Sequence, residues 1–523
     1  MLKAANPSCL RLKAHSRLEK NYSGTWLIVT LAQVGLAPKA KDSLRIDDGR
    51  VLAVRALEIS GGIRILVQLD AGKHQINIVS TADCLDPPYV TIRIGPPKAD
   101  LKPQPARNAQ GINRPPWARW PGISGEIRNE TAARTIRPRA LSKMKTRILT
   151  SATGSIGEAL SYKISQRSYY DAVFDLNRRY PGHARRDLRL EGELRDAFVD
   201  ISAGPADLRL GKQQIVWGES VGLFFADTVN AKDFREYILP DTEQIRIPQW
   251  GADLEYSKEG SHLELIWLAP KFNRLAPVGS EFSPPFPLPP GRLATGSFDA
   301  EQPSLKIKNT ELGARLSRLT YGWDISAFYL YTWDKSPVFY RKFQPFPLPT
   351  YHFQARYERQ NIVGTTLAKD LDPVVLRAET VHHFGRRLSI IDEADDDGVA
   401  SLDSLDYLLG VDYTWQGRWR MNVQFMQRVL WRYRTGLFQE EALRSTGSVW
   451  LRGSFAQDRL EPELLVLSSL ERTDALLRPK ISYHWGRRWR LAVGADLFEG
   501  GRDGLFGFYD RNDRIFTDLT LYF

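Results

Sequence analysis

The sequence predicts an all-β chain: a transmembrane antiparallel β-barrel of 16–18 strands, preceded by a small periplasmic β-sandwich-like domain. Three observations carry this. From about residue 123 onward, apolar and polar residues alternate with a period of two, and helical periodicity is nearly absent. The connections between the alternating stretches are short and long in turn, the mark of a barrel with tight turns at one rim and loops at the other. The chain also ends on the amphipathic stretch Arg514-Ile-Phe-Thr-Asp-Leu-Thr-Leu-Tyr-Phe523, with Ile515, Leu519, Leu521 and Phe523 on one face.

The alternation sorts side chains into a lipid face and a lumen face. Trp250, Leu254 and Tyr256 alternate with Asp253 and Glu255, and Leu263, Leu265 and Trp267 with His262, Glu264 and Ile266. Leu405, Tyr407, Val411 and Tyr413 alternate with Asp406 and Asp412. The same pattern recurs over 419–425, 477–485 and 489–497. Each stretch is about 9–12 residues, the length of a tilted bilayer crossing. Counting them gives 18 strands, with 16 as the alternative even number that a single-chain barrel allows. Short turns fall at 258–260, 321–322, 416–418, 457–458 and 486–488. Long segments fall at about 218–249, 272–311, 334–350, 386–404, 430–447 and 499–513. Trp323, Trp415, Trp419, Trp485 and Trp489 flank the short turns, as an aromatic girdle at one interface requires.

Composition narrows the classes. The chain has 523 residues, 11% of them aromatic and 42% hydrophobic, which excludes intrinsic disorder. Two cysteines exclude a disulfide framework and a multi-cysteine metal site. A run of 18 or more apolar residues is absent from the sequence, so the membrane is not crossed by helices. The formal net charge of +11 is uneven: residues 1–150 hold 25 Lys and Arg against 11 Asp and Glu, and the remainder 47 against 50. No nucleic-acid-binding motif accompanies the basic front end, so nucleic acid is not an expected partner. The mean hydropathy of −0.35 is the average of a lipid face and a wet lumen interleaved residue by residue.

Ahead of the barrel, residues 1–40 are expected to be a signal peptide. Lys3, Arg11, Lys13, Arg17 and Lys20 form a basic front, and 26–37 a short apolar core. Residues 41–97 are expected to form the small periplasmic domain, with strands at 51–59, 63–69, 75–79 and 89–94 and turns at 60–62 and 70–72. Residues 98–121, rich in proline, form a stiff linker, and 122–523 the barrel.

Three resemblances add to this. Ile63-Arg-Ile-Leu-Val67 and Leu85-Asp-Pro-Pro-Tyr-Val-Thr-Ile92 resemble the AMIN domain, a small β-sandwich of periplasmic proteins that associate with peptidoglycan. That resemblance implies a peptidoglycan contact through 41–97. The densest motif is Gly211-Lys-Gln-Gln-Ile-Val-Trp-Gly-Glu219, followed by Asp227-Thr-Val-Asn230 and Asp233-Phe-Arg-Glu236. It resembles an uncharacterised family of large Gram-negative outer-membrane barrels with the pattern Gly-x-Gln-x-x-x-Trp-Gly-Glu, a domain of unknown function. Gln213, Trp217, Glu219, Asn230, Asp233, Arg235 and Glu236 match it. The resemblance implies an outer-membrane location and assigns no substrate or catalytic residue. The closing strand with Phe523 resembles the C-terminal signal read by the barrel-assembly machinery. Outer-membrane lipid and lipopolysaccharide are then the expected surroundings.

The expected function is passage of a solute through a polar lumen, with a structural tether to peptidoglycan as the alternative. The seven motif residues are the candidates for a constriction. The chain leaves the wall at Gly218 and returns at Trp250, and enough charge lies between for a self-satisfied polar network. Such a segment either folds into the lumen or stands outward, held by salt bridges. The lumen-facing candidates are Asp253, Glu255, Glu264, Arg315, Asp412, Arg420, Arg428, Arg478, Lys480, Arg490 and Asp496. They carry both signs, which suits either an ion-selective ring or a salt-bridged, water-filled interior. Asp392-Glu-Ala-Asp-Asp-Asp-Gly398 departs from the EF-hand spacing and is expected to be a solvated tip rather than a Ca²⁺ site. The one Gly-x-Ser-x-Gly match, Gly218-Glu-Ser-Val-Gly222, is not followed by a helical pattern as a nucleophile elbow requires, and none of the eight histidines is marked out by its neighbours. An enzyme and a cofactor are therefore not expected.

Overall fold

The computed structural model describes residues 122–523, apart from 138, 158, 219, 221–225, 289–292, 298–299, 346–347, 349, 372 and 417, together with the backbone of seven strands ahead of residue 122. Five of those seven form one sheet in the order Ala14–Asn21, Gly24–Ala32, Gly62–Leu69, Val51–Ile59, Ser43–Leu44, and Gln75–Ser80 pairs with Val90–Gly95. Part of the apolar core expected at 26–37 contributes to Gly24–Ala32 of this sheet. The linker at 98–121 lies outside the described residues.

Residues from Gly122 onward close into an antiparallel barrel of 18 strands. In chain order they are β1 (Gly122–Arg134), β2 (Leu141–Ile156), β3 (Leu160–Asp171), β4 (Leu190–Ala203), β5 (Ala206–Gln213) and β6 (Gln249–Lys258). Then follow β7 (Ser261–Leu268), β8 (Glu311–Thr320), β9 (Trp323–Trp333), β10 (Arg359–Asp370), β11 (Val374–Ser389) and β12 (Val399–Trp415). The last six are β13 (Trp419–Leu430), β14 (Leu443–Gly453), β15 (Leu460–Ser469), β16 (Asp474–Trp485), β17 (Trp489–Gly500) and β18 (Arg514–Tyr522). Each pairs with its sequence neighbour, and β18 closes on β1. Closure satisfies every strand edge, as a bilayer demands.

The period-2 pattern sets the register. On β17 and β18, Leu491, Val493, Ile515 and Leu519 face outward and are exposed, whereas Ala492, Asp496, Arg514 and Asp518 are buried inside. Trp485 and Trp489 stack across the short turn between β16 and β17, their rings 5.9 Å apart and nearly parallel. A second aromatic rim, at the long-loop end, comprises Trp250, Trp267, Phe384 and Trp431, all exposed. β1 begins and β18 ends at the short-turn rim.

Two strand ends depart from expectation. The loop expected at 386–404 shrinks to 390–398, because a register shift between His383 and Arg386 lets β11 and β12 continue pairing past Gly385. The bulge scrambles the alternation locally and so hides the extra rungs. β5 stops at Gln213 rather than running to Gly218, so the chain leaves the wall five residues earlier than expected.

Candidate functional site: the segment folded into the barrel

Between β5 and β6 the chain turns inward. The described residues of 214–248 fold into the lumen, and two opposing chemistries hold them there. The first is apolar. Ile215, Trp217, Ala226 and Val229 form one buried core with the inward residues Ile266, Leu268, Phe328, Leu330, Ile362 and Val381 of β7, β9, β10 and β11. These wall positions alternate with outward lipid-facing residues, so both faces of these strands are apolar here and the inner one needs the segment to cover it. Farther along, Leu239 joins Leu467, Leu476 and Phe498 of β15, β16 and β17 in a second core.

The second chemistry is ionic. The inward faces of β1, β2, β3 and β4 carry Arg128, Lys143, Lys145, Arg167 and Arg195. Glu236 of the segment pairs with both Lys143 and Lys145. Asp241 accepts from Arg128 at 2.7 Å. Arg167 Nη1 donates to the Gln244 carbonyl at 3.2 Å, and Arg195 to the Glu243 and Arg246 carbonyls at 2.8 and 2.6 Å. Across the barrel, Arg478 of β16 donates to the Leu239 carbonyl at 2.7 Å.

The motif residues build the segment itself. Gly211 has φ of +135°, and a side chain there would strike the backbone of Ala197 and Phe198. Gln213 is the last, fully buried residue of β5. Trp217 is 1% exposed; its Nε1 donates to Glu264 Oε1 at 2.9 Å and its ring lies 5.2 Å from that of Phe328. Gly218 packs so closely on the backbone of Ala226 and Asp227 that a Cβ would collide with it. Glu219 lies outside the described residues. Asn230 accepts from the Ile215 N–H at 3.3 Å and donates to the Ile215 carbonyl, so its amide replaces a missing strand rung. Asp233 takes Arg235 bidentately at 2.8 and 2.6 Å, and Arg235 reaches Glu191 of β4 at 2.6 Å. A small internal sheet completes the segment: 231–232 pairs with 246–247, and 233–234 with 274–275.

The lumen-facing candidates sit on the inward parity of their strands, and most are paired. Arg428 holds Asp406 at 2.8 and 2.9 Å, and Asp496 sits between Arg478 and Arg514 at 2.8 and 2.7 Å. Lys480 meets Glu463 at 2.9 Å, Arg490 meets Asp518 at 3.2 Å, and Asp412 accepts from Asn422 at 2.6 Å. Arg420 is exposed, near the short turn that precedes β13. Asp253 and Glu264 are buried, and Glu255 is partly so. Glu255 stands opposite Glu264 in the β6–β7 ladder, and Glu264 opposite Arg315 in the β7–β8 ladder. Sequence reasoning missed the cationic face of β1–β4. Its signal was the spacing Lys143-x-Lys145-x-Arg147, three cations on one strand face. The aspartates of 392–398 cap their own turn, Asp395 accepting from Gly398 N at 2.9 Å and from Arg434 at 2.9 Å. Among the described residues no group of side chains is arranged to hold a metal.

The charges set the pH range over which the segment stays docked. Burial pushes the Asp233 carboxyl up, but its bonds to Arg235 and the charges of Arg167 and Arg274 outweigh that and hold it below the usual range. Burial acts likewise on Glu236, and Lys143 and Lys145 hold it well below. Both contributions are complete above the ordinary carboxylate values of 3.8 and 4.5 and drain away as pH falls beneath them. Burial lowers the Lys232 ammonium to about 8, so its effect has the opposite sign: stability rises with pH from there to the ordinary 10.5. The expected result for the Asp233 and Glu236 anchors is protection of 231–241 from proteolysis that is lost below about pH 4. Release already at pH 6 contradicts this charge assignment.

Comparison with known proteins places these features. No curated protein matches the chain. Among solved structures, Pseudomonas aeruginosa OccK8 (OprE) is 11% identical, with a TM-score of 0.45, over 77% of this chain and 97% of that one. Acinetobacter baumannii OccAB1 is 9% identical, with a TM-score of 0.46, over 76% and 95%. Salmonella typhi OmpF, in complex with daunomycin, is 10% identical, with a TM-score of 0.39, over 77% and 97%. The family model described as "Protein of unknown function (DUF1302)" matches residues 147–433, more than half of the chain and the whole of the inward segment. The chain belongs to that family.

Proposed function

We propose that the chain is an outer-membrane channel that passes a polar solute, with 214–248 as its constriction. The observation that carries this is the barrel's own sidedness: outward positions are apolar between two aromatic rims, while inward positions away from the apolar patch on β7 and β9–β11 are largely charged. An 18-strand barrel is wide enough for an aqueous lumen, so the inward segment is what sets the free cross-section. Short turns of such barrels face the periplasm. Residues ahead of Gly122 are then periplasmic, and the outward Ile515, Leu519 and Phe523 are available to the assembly machinery. The test is conductance of the purified full chain in planar bilayers, with discrete steps as the expected result. A chain that never conducts, with or without its inward segment, overturns the reading.

A further inference from the structure

We propose that residues 304–310 form a docking site for a phosphate-bearing lipid of the outer leaflet. The choice of leaflet rests on the outer-membrane reading above, which turns the long-loop rim outward; the binding surface is read from the wall and that rim.

The segment lies just ahead of β8 and hangs from the lipid side of the wall. On β9, Tyr329 and Tyr331 face outward and alternate with the buried Leu330 and Thr332. Arg359 and Asn361 continue the outward face on β10, where Tyr329 donates to Asn361 Oδ1 at 2.7 Å. The Arg359 guanidinium lies over the rings of Tyr331 and Trp333, 4.7 and 4.1 Å from their centroids. From there it donates to the Lys308 carbonyl at 2.7 Å and to the Thr310 carbonyl at 3.0 Å. Trp333 Nε1 donates to the carbonyl between them, that of Asn309, at 2.9 Å. Three consecutive carbonyls of the turn at 307–310 are thus fixed to the outward edge of the barrel.

What the segment presents is amphipathic. Leu305 is 79% exposed and Ile307 83%. Single exposed apolar residues are ordinary, but these two stand together at the end of an outward face whose next members, Leu312 and Leu316 of β8, are also exposed. Lys306 and Lys308 alternate with them. Both are exposed, and neither ammonium has an ion-pair or hydrogen-bond partner among the described residues. Glu311, the next acid along the chain, does not neutralise them: it is 1% exposed and committed to Lys335 at 2.6 Å. Acyl chains cover the two apolar side chains and a phosphate meets the two ammonium groups, so one lipid molecule satisfies both. Inorganic phosphate leaves Leu305 and Ile307 in water. A zwitterionic lipid offers the lysines no net charge, and a second copy of this segment brings the same two cations.

The experiment is hydrogen exchange on the full chain in phosphatidylcholine nanodiscs, with and without lipid A. Exchange over 304–310 is expected to slow at least about tenfold when lipid A is present. The variant Lys306→Gln/Lys308→Gln is expected to abolish that gain, and Leu305→Asn/Ile307→Asn to reduce it at least about threefold. All four positions are exposed, so the barrel is expected to keep its resistance to SDS in both variants. Exchange that does not respond to lipid A overturns the proposal, as does a gain that survives Lys306→Gln/Lys308→Gln. Inorganic phosphate that slows exchange equally in discs without lipid A overturns the lipid assignment in favour of a free anion, and so does a gain undiminished in Leu305→Asn/Ile307→Asn. Single-channel recording separates this site from the channel reading. A chain that conducts without responding to lipid A loses only the site, and one that responds without conducting loses only the channel.

Discussion

Excising residues 219–245, with a short glycine-serine turn joining Gly218 to Arg246, is expected to raise single-channel conductance about fivefold or more, because an 18-strand wall encloses a water-filled channel once its lumen is cleared. The barrel is expected to survive, since 214–248 contributes no rung to the closed ladder. Selectivity is expected to change with conductance. The excised residues include Glu219, Asp227, Asp233, Glu236, Asp241 and Glu243 against Lys232 and Arg235, a loss of six negative and two positive charges. The lumen thus becomes more positive by four charges; Lys143 and Lys145 lose Glu236, Arg167 loses the Gln244 carbonyl and Arg195 the Glu243 carbonyl. The reversal potential in a salt gradient is expected to move toward anions. Unchanged conductance denies that the segment is the constriction; a shift toward cations denies that the β1–β4 wall dominates the field.

The fold was legible because a membrane barrel interleaves two solvents residue by residue, and the period survives in Leu491, Val493, Ile515 and Leu519 without reference to any tertiary contact. What the period could not show is where the wall stops. Ile215 and Trp217 are apolar at strand-like spacing, yet they point into a covered interior rather than at lipid. Apolarity alone does not distinguish a lipid-facing residue from one facing a plug. The same ambiguity hid the inner apolar face of β7 to β11, where Ile266, Phe328 and Val381 break the rule that the lumen side is polar. The motif was visible as residue types. Its physical content, an asparagine acting as a backbone rung and a glycine admitting the Ala226–Asp227 backbone, depends on contacts between positions 8 to 15 residues apart along an irregular path. The lining charges were legible on β16 and β17, where Arg478 and Asp496 sit on predicted strand faces. The anchors in β1–β4 were not, because their partners lie in a segment without periodicity.

Trp217 is where the two halves of the site meet, and Trp217→Ala has the largest expected effect of any single substitution. The ring packs against Phe328 and against Gly313, where any larger residue would collide with it. Truncating a buried tryptophan costs about 3–5 kcal/mol, and leaving Glu264 buried without its indole donor adds about 1–3 kcal/mol. Because the ladder of 18 strands is untouched, this loss falls on docking of the segment rather than on the barrel. The urea midpoint of the barrel is expected to move little, while hydrogen-exchange protection of 226–234 collapses and conductance rises toward that of the excised form. Trp217→Phe separates the contributions: it keeps most of the packing, loses only the N–H donor to Glu264, and is expected to cost about 1–3 kcal/mol. If Trp217→Ala leaves the protection of 226–234 intact, the apolar anchor is dispensable. The ionic contacts of Glu236 and Asp241 with the opposite wall then hold the segment alone, and its release would depend on acid and salt rather than on packing.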